Sequence, residues 1–299
     1  MKNIAIGIDL GCTNIKAVLL DEQGNILYQH RQETREQEDR HWKQAISTIV
    51  KDFGLRSPDP VTAIGLCAPG LANATNTCIQ CMPGRLPGLE NFNWSDFTGK
   101  NIFILNDAHA ALTAEASFGT GKGKKHALML TLGSGVGGGI LIDGQLYQGL
   151  SQMAGHFGHT TVDAGVHTRD VTNMPGSIED AIGNITIQQR SYGRYQTTFD
   201  LIEAYRRGET FAVWLWLDSV RKLAISIASA INLISPEVVI IGGGISQAED
   251  ALMKPLIQFL ELYEWRPGGK HTPLVAAQFS DMAGAIGAGA FALSKTKMK

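Results

Sequence analysis

The chain has 299 residues, of which 44% are hydrophobic and 18% charged, enough to build a core in each of two lobes. Its formal net charge is -2 at pH 7, with Lys and Arg dispersed among acidic residues. This composition provides no basic face for a phosphate backbone or an anionic membrane, so neither nucleic acid nor membrane is expected as a partner.

Two segments of the sequence indicate the cellular location to expect for the protein. The N-terminus runs directly into strand-like sequence at residues 4–10, without the cationic, apolar and cleavage regions of a secretory signal. The longest apolar stretch, about residues 223–234, is interrupted by Ser226, Ser229 and Asn232 and is too short to cross a bilayer of about 30 Å. We therefore expect a cytoplasmic protein without a membrane span.

Four cysteines are present: Cys12, Cys67, Cys78 and Cys81. They suit a reduced compartment, and the Cys78-Ile-Gln-Cys81 pair has no second pair or nearby histidines to complete a zinc site. A metal site at this pair is the less favoured interpretation.

The first half of the chain predicts an α/β lobe. Residues 4–9, 15–20 and 25–30 form a three-stranded meander with turns at residues 11–14 and 21–24. A helix at residues 42–53 and a strand at residues 61–67 follow. Alternating helices and strands are typical of an α/β architecture.

The second half repeats this opening at an offset of about 124 residues. Residues 128–132 and 136–142 are strands around a Gly133-Ser-Gly135 turn, and Asp143-Gly144 predicts a hairpin before residues 145–148. Chance resemblance of two hairpins is the alternative to a duplicated lobe. Farther on, an apolar stripe over residues 213–234 predicts one core face of a long helix, and a buried strand at residues 238–241 runs into Gly242-Gly-Gly244.

Three common nucleotide and acyl-transfer motifs fail on context. The run Gly133-Ser-Gly135-Val-Gly-Gly138 formally matches GxGxxG but continues as a hairpin, whereas the dinucleotide fingerprint opens a helix. Gly119-Thr-Gly-Lys122 lacks the P-loop spacing and its final hydroxyl residue. Ser134 lacks the GxSxG frame of a hydrolase.

Three glycine turns remain, each after a buried strand: residues 9–14, 133–135 and 242–244. Glycine lets several backbone N–H groups approach one anion, so such turns can bind phosphate oxygens. Asp9 adds a carboxylate suited to holding Mg²⁺ through water. One turn alone is weak, but three turns in duplicated lobes predict a nucleotide site.

These segments resemble the ROK (repressor, ORF, kinase) family of sugar kinases. The run from Gly7 to Lys16 resembles the family's first phosphate segment, residues 131–140 its second, and residues 240–245 its adenosine segment. Leu105-Asn106-Asp107-Ala108-His109 resembles the segment that carries the catalytic aspartate. The resemblance implies that ATP and Mg²⁺ are bound by Asp9, Gly11, Thr13, Asn14, Lys16, Gly133, Ser134, Gly135, Gly242, Gly243 and Gly244.

Asp107 follows a strand and begins a helix, where a carboxylate is either an N-cap or a base. The preceding Asn106 and the phosphate turns favour the base. In the kinase interpretation Asp107 accepts the proton of the attacking sugar hydroxyl, while the turns and Mg²⁺ neutralise phosphate charge. Asn106 would orient the sugar.

The chain departs from the family pattern where the sugar is bound. The family's Gly-Glu-x-Gly-His is here Gly155-His156-Phe-Gly158-His159, and no cysteine lies between His159 and Glu179, where the family has three zinc cysteines. We therefore expect no zinc, and a loop at residues 160–175 held by packing and hydrogen bonds or mobile until sugar binds. The two histidines are candidate sugar ligands, or only polar loop residues.

The resemblance implies two actin-like (ribonuclease H-like) α/β lobes around a central cleft. The small lobe would span residues 1–118 and be completed by residues 281–299, whose glycines permit close helix packing, and the large lobe residues 119–280. The expected sugar ligands are Gly70, Asn106, Asp107, His156, His159 and Glu179.

The expected reaction is phosphorylation of a hexose, at O6, by a homodimer. Glucose, fructose, allose, mannose and N-acetylmannosamine stay open as substrates. A sugar-responsive repressor is one alternative, but only eight residues precede Asp9, too few for a winged helix-turn-helix. A sensor that binds sugar without turnover is another, against which the retained Asp107 argues.

Overall fold

Helices and strands alternate along the chain in the computed structural model, which describes residues 3–82 and 84–297. The strands are β1 (Ile4–Leu10), β2 (Asn14–Asp21), β3 (Ile26–Glu33), β4 (Val61–Ala68), β5 (Leu71–Ala72), β6 (Ile79–Cys81), β7 (Phe103–Asn106), β8 (Ala127–Leu132), β9 (Val136–Ile142), β10 (Gln145–Tyr147), β11 (Val238–Gly242) and β12 (Leu274–Ala276). The α-helices are α1 (Asp39–Arg56), α2 (Trp94–Thr98), α3 (Asp107–Phe118), α4 (Ile178–Ile182), α5 (Ile187–Arg190), α6 (Thr198–Arg206), α7 (Thr210–Ile234), α8 (Asp250–Tyr263) and α9 (Ala283–Lys297).

The chain divides into two compact units. Unit 1 contains the described residues up to Gly123, the segment Leu146–Ala154 and the residues from Gln278 onward, and unit 2 contains Lys124–Gln145 and Gly155–Ala277. The predicted boundaries placed residues 146–154 in the second lobe. Here they group with unit 1 because Leu146 packs against buried Cys67 and Leu105.

The chain contains two five-stranded sheets of the same order. The sheet of unit 1 has the order β3-β2-β1-β4-β7. The second sheet has the order β10-β9-β8-β11-β12, and its strands β8, β9, β11 and β12 belong to unit 2. In the first sheet the central strand β1 pairs antiparallel with β2 and parallel with β4. In the second sheet the central strand β8 pairs in the same way, antiparallel with β9 and parallel with β11. The predicted duplication of the strand-turn-strand opening is confirmed.

The two faces of the unit 1 sheet carry side chains of different size. Because strand side chains alternate, Ile4, Ile6 and Ile8 pack on one face with residues of α1 and α2. Ala5 lies on the other face, which α9 covers. Asp9 lies four residues after Ala5 in the same strand, so the alternation of side chains places its carboxylate on the face that α9 covers.

Helix α9 approaches the sheet closely because glycines remove the side chains that would keep it away. A Cβ atom on Gly7 would overlap the Ala285 carbonyl oxygen, and one on Gly287 would overlap the Ala110 carbonyl oxygen. The expected tight packing of the C-terminal helix is therefore present, and it places the first turn of α9 beside Asp9.

The core of unit 2 includes α7, the longest helix. Of the predicted core stripe, Val220, Ala224, Ile227 and Ile231 are buried, whereas Val213, Leu217 and Ile234 toward the two ends are only half-buried. Within the described ranges, no helix combines the length and the apolarity needed to cross a bilayer.

Candidate active site

Three parallel strands of unit 1 bring the first set of predicted residues to one edge of the sheet. Asp9 of β1 is in register with Cys67 of β4, and Ala68 of β4 is in register with Asn106 of β7. The carboxyl ends of parallel strands form the usual ligand edge of an α/β sheet. Asp9 and the Asn106-Asp107 pair therefore belong to one site.

The turn from Gly11 to Asn14 leaves backbone donors available. The Gly11 N–H donates to the Asn14 carbonyl oxygen at 3.1 Å, and the Thr13 carbonyl oxygen accepts from the Thr34 N–H at 2.9 Å. In the part of the chain that the structure describes, the N–H groups of Cys12 and Thr13 donate to no protein group. Two neighbouring free donors are what an anion-binding turn requires.

Asp9 is half-buried and its proton affinity is strongly perturbed. The pKa of Asp9 is raised to about 7, mainly by burial and next by the negative charge of Asp107, while the Lys16 ammonium opposes both. Lys16 lies directly opposite Asp9 across β1 and β2. A carboxylate that resists ionisation in the free protein will gain from a nearby cation, as Mg²⁺ would provide.

Two predicted phosphate ligands of this segment are already occupied. The Lys16 Nζ donates to the Asp281 carbonyl oxygen at 2.7 Å, and the Asn14 Oδ1 accepts from the Arg31 Nε at 3.4 Å. Asp281 also pairs with Arg31, with 3.2 Å between Nη1 and Oδ2. No sequence pattern indicates the contact between Lys16 and Asp281, which are 265 residues apart along the chain.

Asn106 is buried and joins two segments. Its Oδ1 caps α3 by accepting from the N–H groups of Ala108 and His109 at 2.9 and 3.1 Å, while its Nδ2 donates to the Gly70 carbonyl oxygen at 2.9 Å. The predicted sugar ligands Gly70 and Asn106 are therefore in contact. Asn106 therefore determines where α3 begins and holds it against the Gly70 segment.

Asp107 is the first residue of α3 and is exposed. Desolvation by the surrounding protein raises the pKa of Asp107 above its usual range, although hydrogen bonds from Ala108 and Asn106 oppose the change. The cap alternative falls to Asn106, whose side chain caps the helix, while the Asp107 Oδ1 accepts from the Ala108 N–H at 2.8 Å within the same first turn. A carboxylate of raised pKa suits a general base.

The second glycine turn, residues 133–135, belongs to unit 2, and hydrogen bonds to its carbonyl oxygens fix its orientation. The Gly133 and Ser134 carbonyl oxygens accept from the N–H groups of Asn184 and Ile185 at 3.0 and 2.9 Å. Among the described residues, no protein acceptor faces the N–H groups of Ser134 and Gly135. The turn thus matches that of unit 1 in leaving two adjacent donors for an anion.

Glu179 is buried directly against this turn. Its Oε2 accepts from the Val136 N–H at 2.9 Å, and a Cβ atom on Gly135 would overlap that oxygen. Gly135 is therefore required by the close approach of a carboxylate as well as by the turn. The second phosphate segment and the predicted sugar ligand Glu179 form one structural element.

The third glycine turn lies beside the second. Gly242 at the end of β11 pairs with Thr131 of β8, two residues before Gly133. The Gly243 carbonyl oxygen accepts from the Ser246 N–H and Oγ at 3.1 and 2.7 Å. The predicted phosphate and adenosine segments of unit 2 are thus adjacent.

His156 and His159, in the segment that departs from the family pattern, lie side by side. The rings of His156 and His159 are stacked, with centroids 6.3 Å apart and planes 8° from parallel. The His159 Nδ1 lies 3.2 Å from the Thr172 Oγ1 and 3.5 Å from the Asp170 Oδ2. Residues 160–175 are thus connected to His159 by Asp170 and Thr172, which the sequence analysis did not identify.

One group of side chains in this region has donor atoms close enough for a metal. Atoms of His159, Asp170 and Glu179 lie within 4.8 Å of one another. The four cysteines all lie in unit 1, so the thiolate ligands of the family's zinc site are missing here. Glu179 is bound to Val136, and the Asp170 Oδ1 is saturated by the loop. These residues do not fit that zinc site.

Comparison with known proteins gives a consistent result. The ROK family model matches residues 5–296. A glucokinase of Thermotoga maritima is 30% identical over 95% of each chain. The structure of a ROK hexokinase from Thermus thermophilus superposes with a TM-score of 0.86 at 26% identity over 100% of both chains. A ROK glucokinase from Streptomyces griseus, solved with glucose and AMPPNP, gives a TM-score of 0.80 at 26% identity over 98% of this chain and 100% of that one.

These neighbours share the two α/β units described above, which confirms the predicted actin-like fold class, and kinases of sugars are prominent among the relatives. The chain belongs to the ROK family.

Proposed function

We propose that this protein is an ATP-dependent hexose kinase with Asp107 as its general base. The observation that carries the proposal is the Asn106-Asp107 pair. Asn106 caps α3, so Asp107, at the same sheet edge as Asp9, keeps an exposed carboxylate of raised pKa. A relative captured with glucose and an ATP analogue supports both substrates.

In the proposed reaction Asp107 accepts the proton of the sugar hydroxyl as its oxygen attacks the γ-phosphate. Asp9 would hold Mg²⁺ through water, and the cation would neutralise the developing phosphate charge. The free N–H groups at residues 12–13 and 134–135 would bind phosphate oxygens. Gly243 and Gly244 would contact the adenosine, as the family resemblance implies.

The sugar would be held by hydrogen bonds from a small set of donor and acceptor side chains. Asn106 Nδ2 can donate, and the carboxylate of Glu179 can only accept. His159 would contact a further hydroxyl, and His156 stands where the family has a carboxylate. We propose O6 of a hexose as the acceptor, with the identity of the hexose decided by these few contacts.

The proposal is tested by an ADP-release screen across hexoses and N-acetylhexosamines, with ³¹P NMR to identify the phosphorylated position. At least one hexose should support Mg²⁺-dependent turnover and yield a 6-phosphate. Sugars that shift the melting temperature without releasing ADP would overturn the proposal in favour of the sensor alternative. Cytoplasmic location and a homodimeric state remain predictions, to be checked by fractionation and by light scattering.

A further inference from the structure

The loop between His159 and Glu179 is organised around a single carboxylate. The Asp170 Oδ1 accepts from the Thr172 N–H at 2.8 Å, the Thr172 hydroxyl at 2.7 Å and the Met174 N–H at 3.0 Å. The Asp170 side chain is 1% exposed. Burial alone would raise the pKa of Asp170, but hydrogen bonds from Thr172, Met174 and the Ser177 side chain outweigh burial and lower the pKa below its usual range. Asp170 is therefore a buried, ionised residue.

The hydrogen bonds around Asp170 also determine the tautomer of His159. The Thr172 hydroxyl has one hydrogen, which it donates to the Asp170 Oδ1. Toward the His159 Nδ1, 3.2 Å away, the Thr172 oxygen can therefore only accept. The Asp170 Oδ2, at 3.5 Å from the same nitrogen, is also an acceptor. Both neighbours require a hydrogen on Nδ1, and the neutral ring then has its acceptor at Nε2.

We propose that Asp170 is a positioning residue that, with Thr172, holds His159 as the Nδ1–H tautomer and so presents Nε2 as a hydrogen-bond acceptor to a sugar hydroxyl. The inference rests on the proposed function for the identity of the ligand, but not for the tautomer itself. It also explains how this segment is ordered without the zinc ion that the family has. The loop's own donors bind the Asp170 carboxylate, and this carboxylate organises the loop as the metal ion would.

The Asp170→Asn variant separates positioning from folding. The three donors at Oδ1 require an oxygen there, so the asparagine amide nitrogen must take the place of Oδ2 and face His159. An amide N–H in that place requires an acceptor at Nδ1, and the loss of the negative charge lets the Thr172 hydroxyl turn its hydrogen from Oδ1 to Nδ1, so the ring hydrogen moves to Nε2. The two backbone N–H bonds to Oδ1 keep the loop in place while the atom offered to the sugar changes from acceptor to donor.

The matched control is Asp163→Asn. Asp163 lies in the same loop, where its Oδ1 accepts from the Gly165 N–H at 3.1 Å and its Oδ2 pairs with the Lys222 Nζ at 3.3 Å, and neither contact involves His159. A general loosening of the loop should affect both variants, whereas a change of tautomer should occur only in Asp170→Asn.

The first measurement is ¹⁵N NMR of the histidine rings in the protein without sugar, with the His159 signals assigned by a His159→Gln variant. Wild type and Asp163→Asn should show hydrogen on Nδ1, and Asp170→Asn should show it on Nε2. Hydrogen on Nε2 in wild type, or an unchanged tautomer in Asp170→Asn, would overturn the proposal. Because no sugar or nucleotide is present, this result does not depend on whether the protein is a kinase.

The second measurement is steady-state kinetics with the best sugar of the ADP-release screen. Asp170→Asn should raise the KM for sugar by about 10-fold, the effect of one lost hydrogen bond, with a much smaller change in kcat. Asp163→Asn should match wild type. Equal KM values for all three proteins would contradict the proposed contact between His159 and the sugar, even if the tautomer result stands.

Discussion

Replacing Asp9 with asparagine should stabilise the free protein at neutral pH. Folding raises the pKa of Asp9 from 3.8 to about 7, first through burial and then through the charge of Asp107. Between those pH values the folded protein keeps a proton that the unfolded chain has lost. The contribution of Asp9 to stability is therefore fully present below about pH 4 and is lost as the pH rises through about 7. Asparagine has no proton to lose.

The size of the effect follows from that pKa difference. A difference of about three corresponds to about 4 kcal/mol at full effect. Asp9 is only half-buried, so solvent screening reduces the free energy, and we expect about 2 kcal/mol. Asparagine can keep the weak contact in which the Cys67 Sγ donates to Oδ1 at 3.7 Å. The stabilisation of Asp9→Asn over wild type should grow from near zero at pH 4 to about 2 kcal/mol at pH 8.

The assay is urea unfolding at several pH values, followed by tryptophan fluorescence, because Trp42 and Trp94 are buried in the core of unit 1. Asp52→Asn is the control, since among the described residues Asp52 pairs with Arg56 alone, on an exposed turn of α1, and it should give wild-type midpoints throughout. Midpoints of wild type and Asp9→Asn that run parallel from pH 5 to pH 8 would refute the reasoning. Saturating Mg²⁺ and nucleotide should reverse the order of stability, because the cation favours the ionised carboxylate.

Two further predictions concern the segment that departs from the family. Purified protein should contain no stoichiometric zinc, and chelation should leave its melting temperature unchanged, because hydrogen bonds to Asp170 hold the loop. Elemental analysis that finds one tightly bound zinc ion per chain would contradict this prediction. His156→Glu should change the ranking of hexoses by kcat/KM, by about 1–3 kcal/mol for a hydrogen bond made or lost, because a carboxylate only accepts whereas imidazole also donates. A uniform effect on all sugars would remove His156 from the sugar site.

Much of the fold was predictable because it depends on short-range pattern. The alternation of large and small residues in β1 determines which face Asp9 occupies, and glycines after buried strands identify the turns. The duplicated strand-turn-strand opening predicts a duplicated lobe, and the structure has two sheets of the same order. The alternation and the turns are short patterns, and the duplication repeats those short patterns, so they can be recognised directly in the sequence.

The roles of individual site residues were less accessible. Asp107 was predicted at a strand-to-helix junction, but that Asn106 takes the capping role depends on side-chain geometry. Asp170 was not identified, because its three donors and His159 meet in an irregular loop without periodic signal. The Asp170-Val-Thr172 spacing, typical of a carboxylate that accepts from the backbone two residues on, was the available signal.

The central claim is that Asp107 removes a proton from a sugar hydroxyl, and a single comparison of ADP release tests it most directly. Asp107→Asn and a matched control, Asp96→Asn in the first turn of α2, should both fold and bind nucleotide, since Asp96 also follows an asparagine cap. With the best sugar, Asp107→Asn should lower kcat by about 10² to 10⁴, the usual contribution of a general base, and Asp96→Asn should leave it unchanged. An Asp107→Asn enzyme that turns over at the wild-type rate would contradict the account.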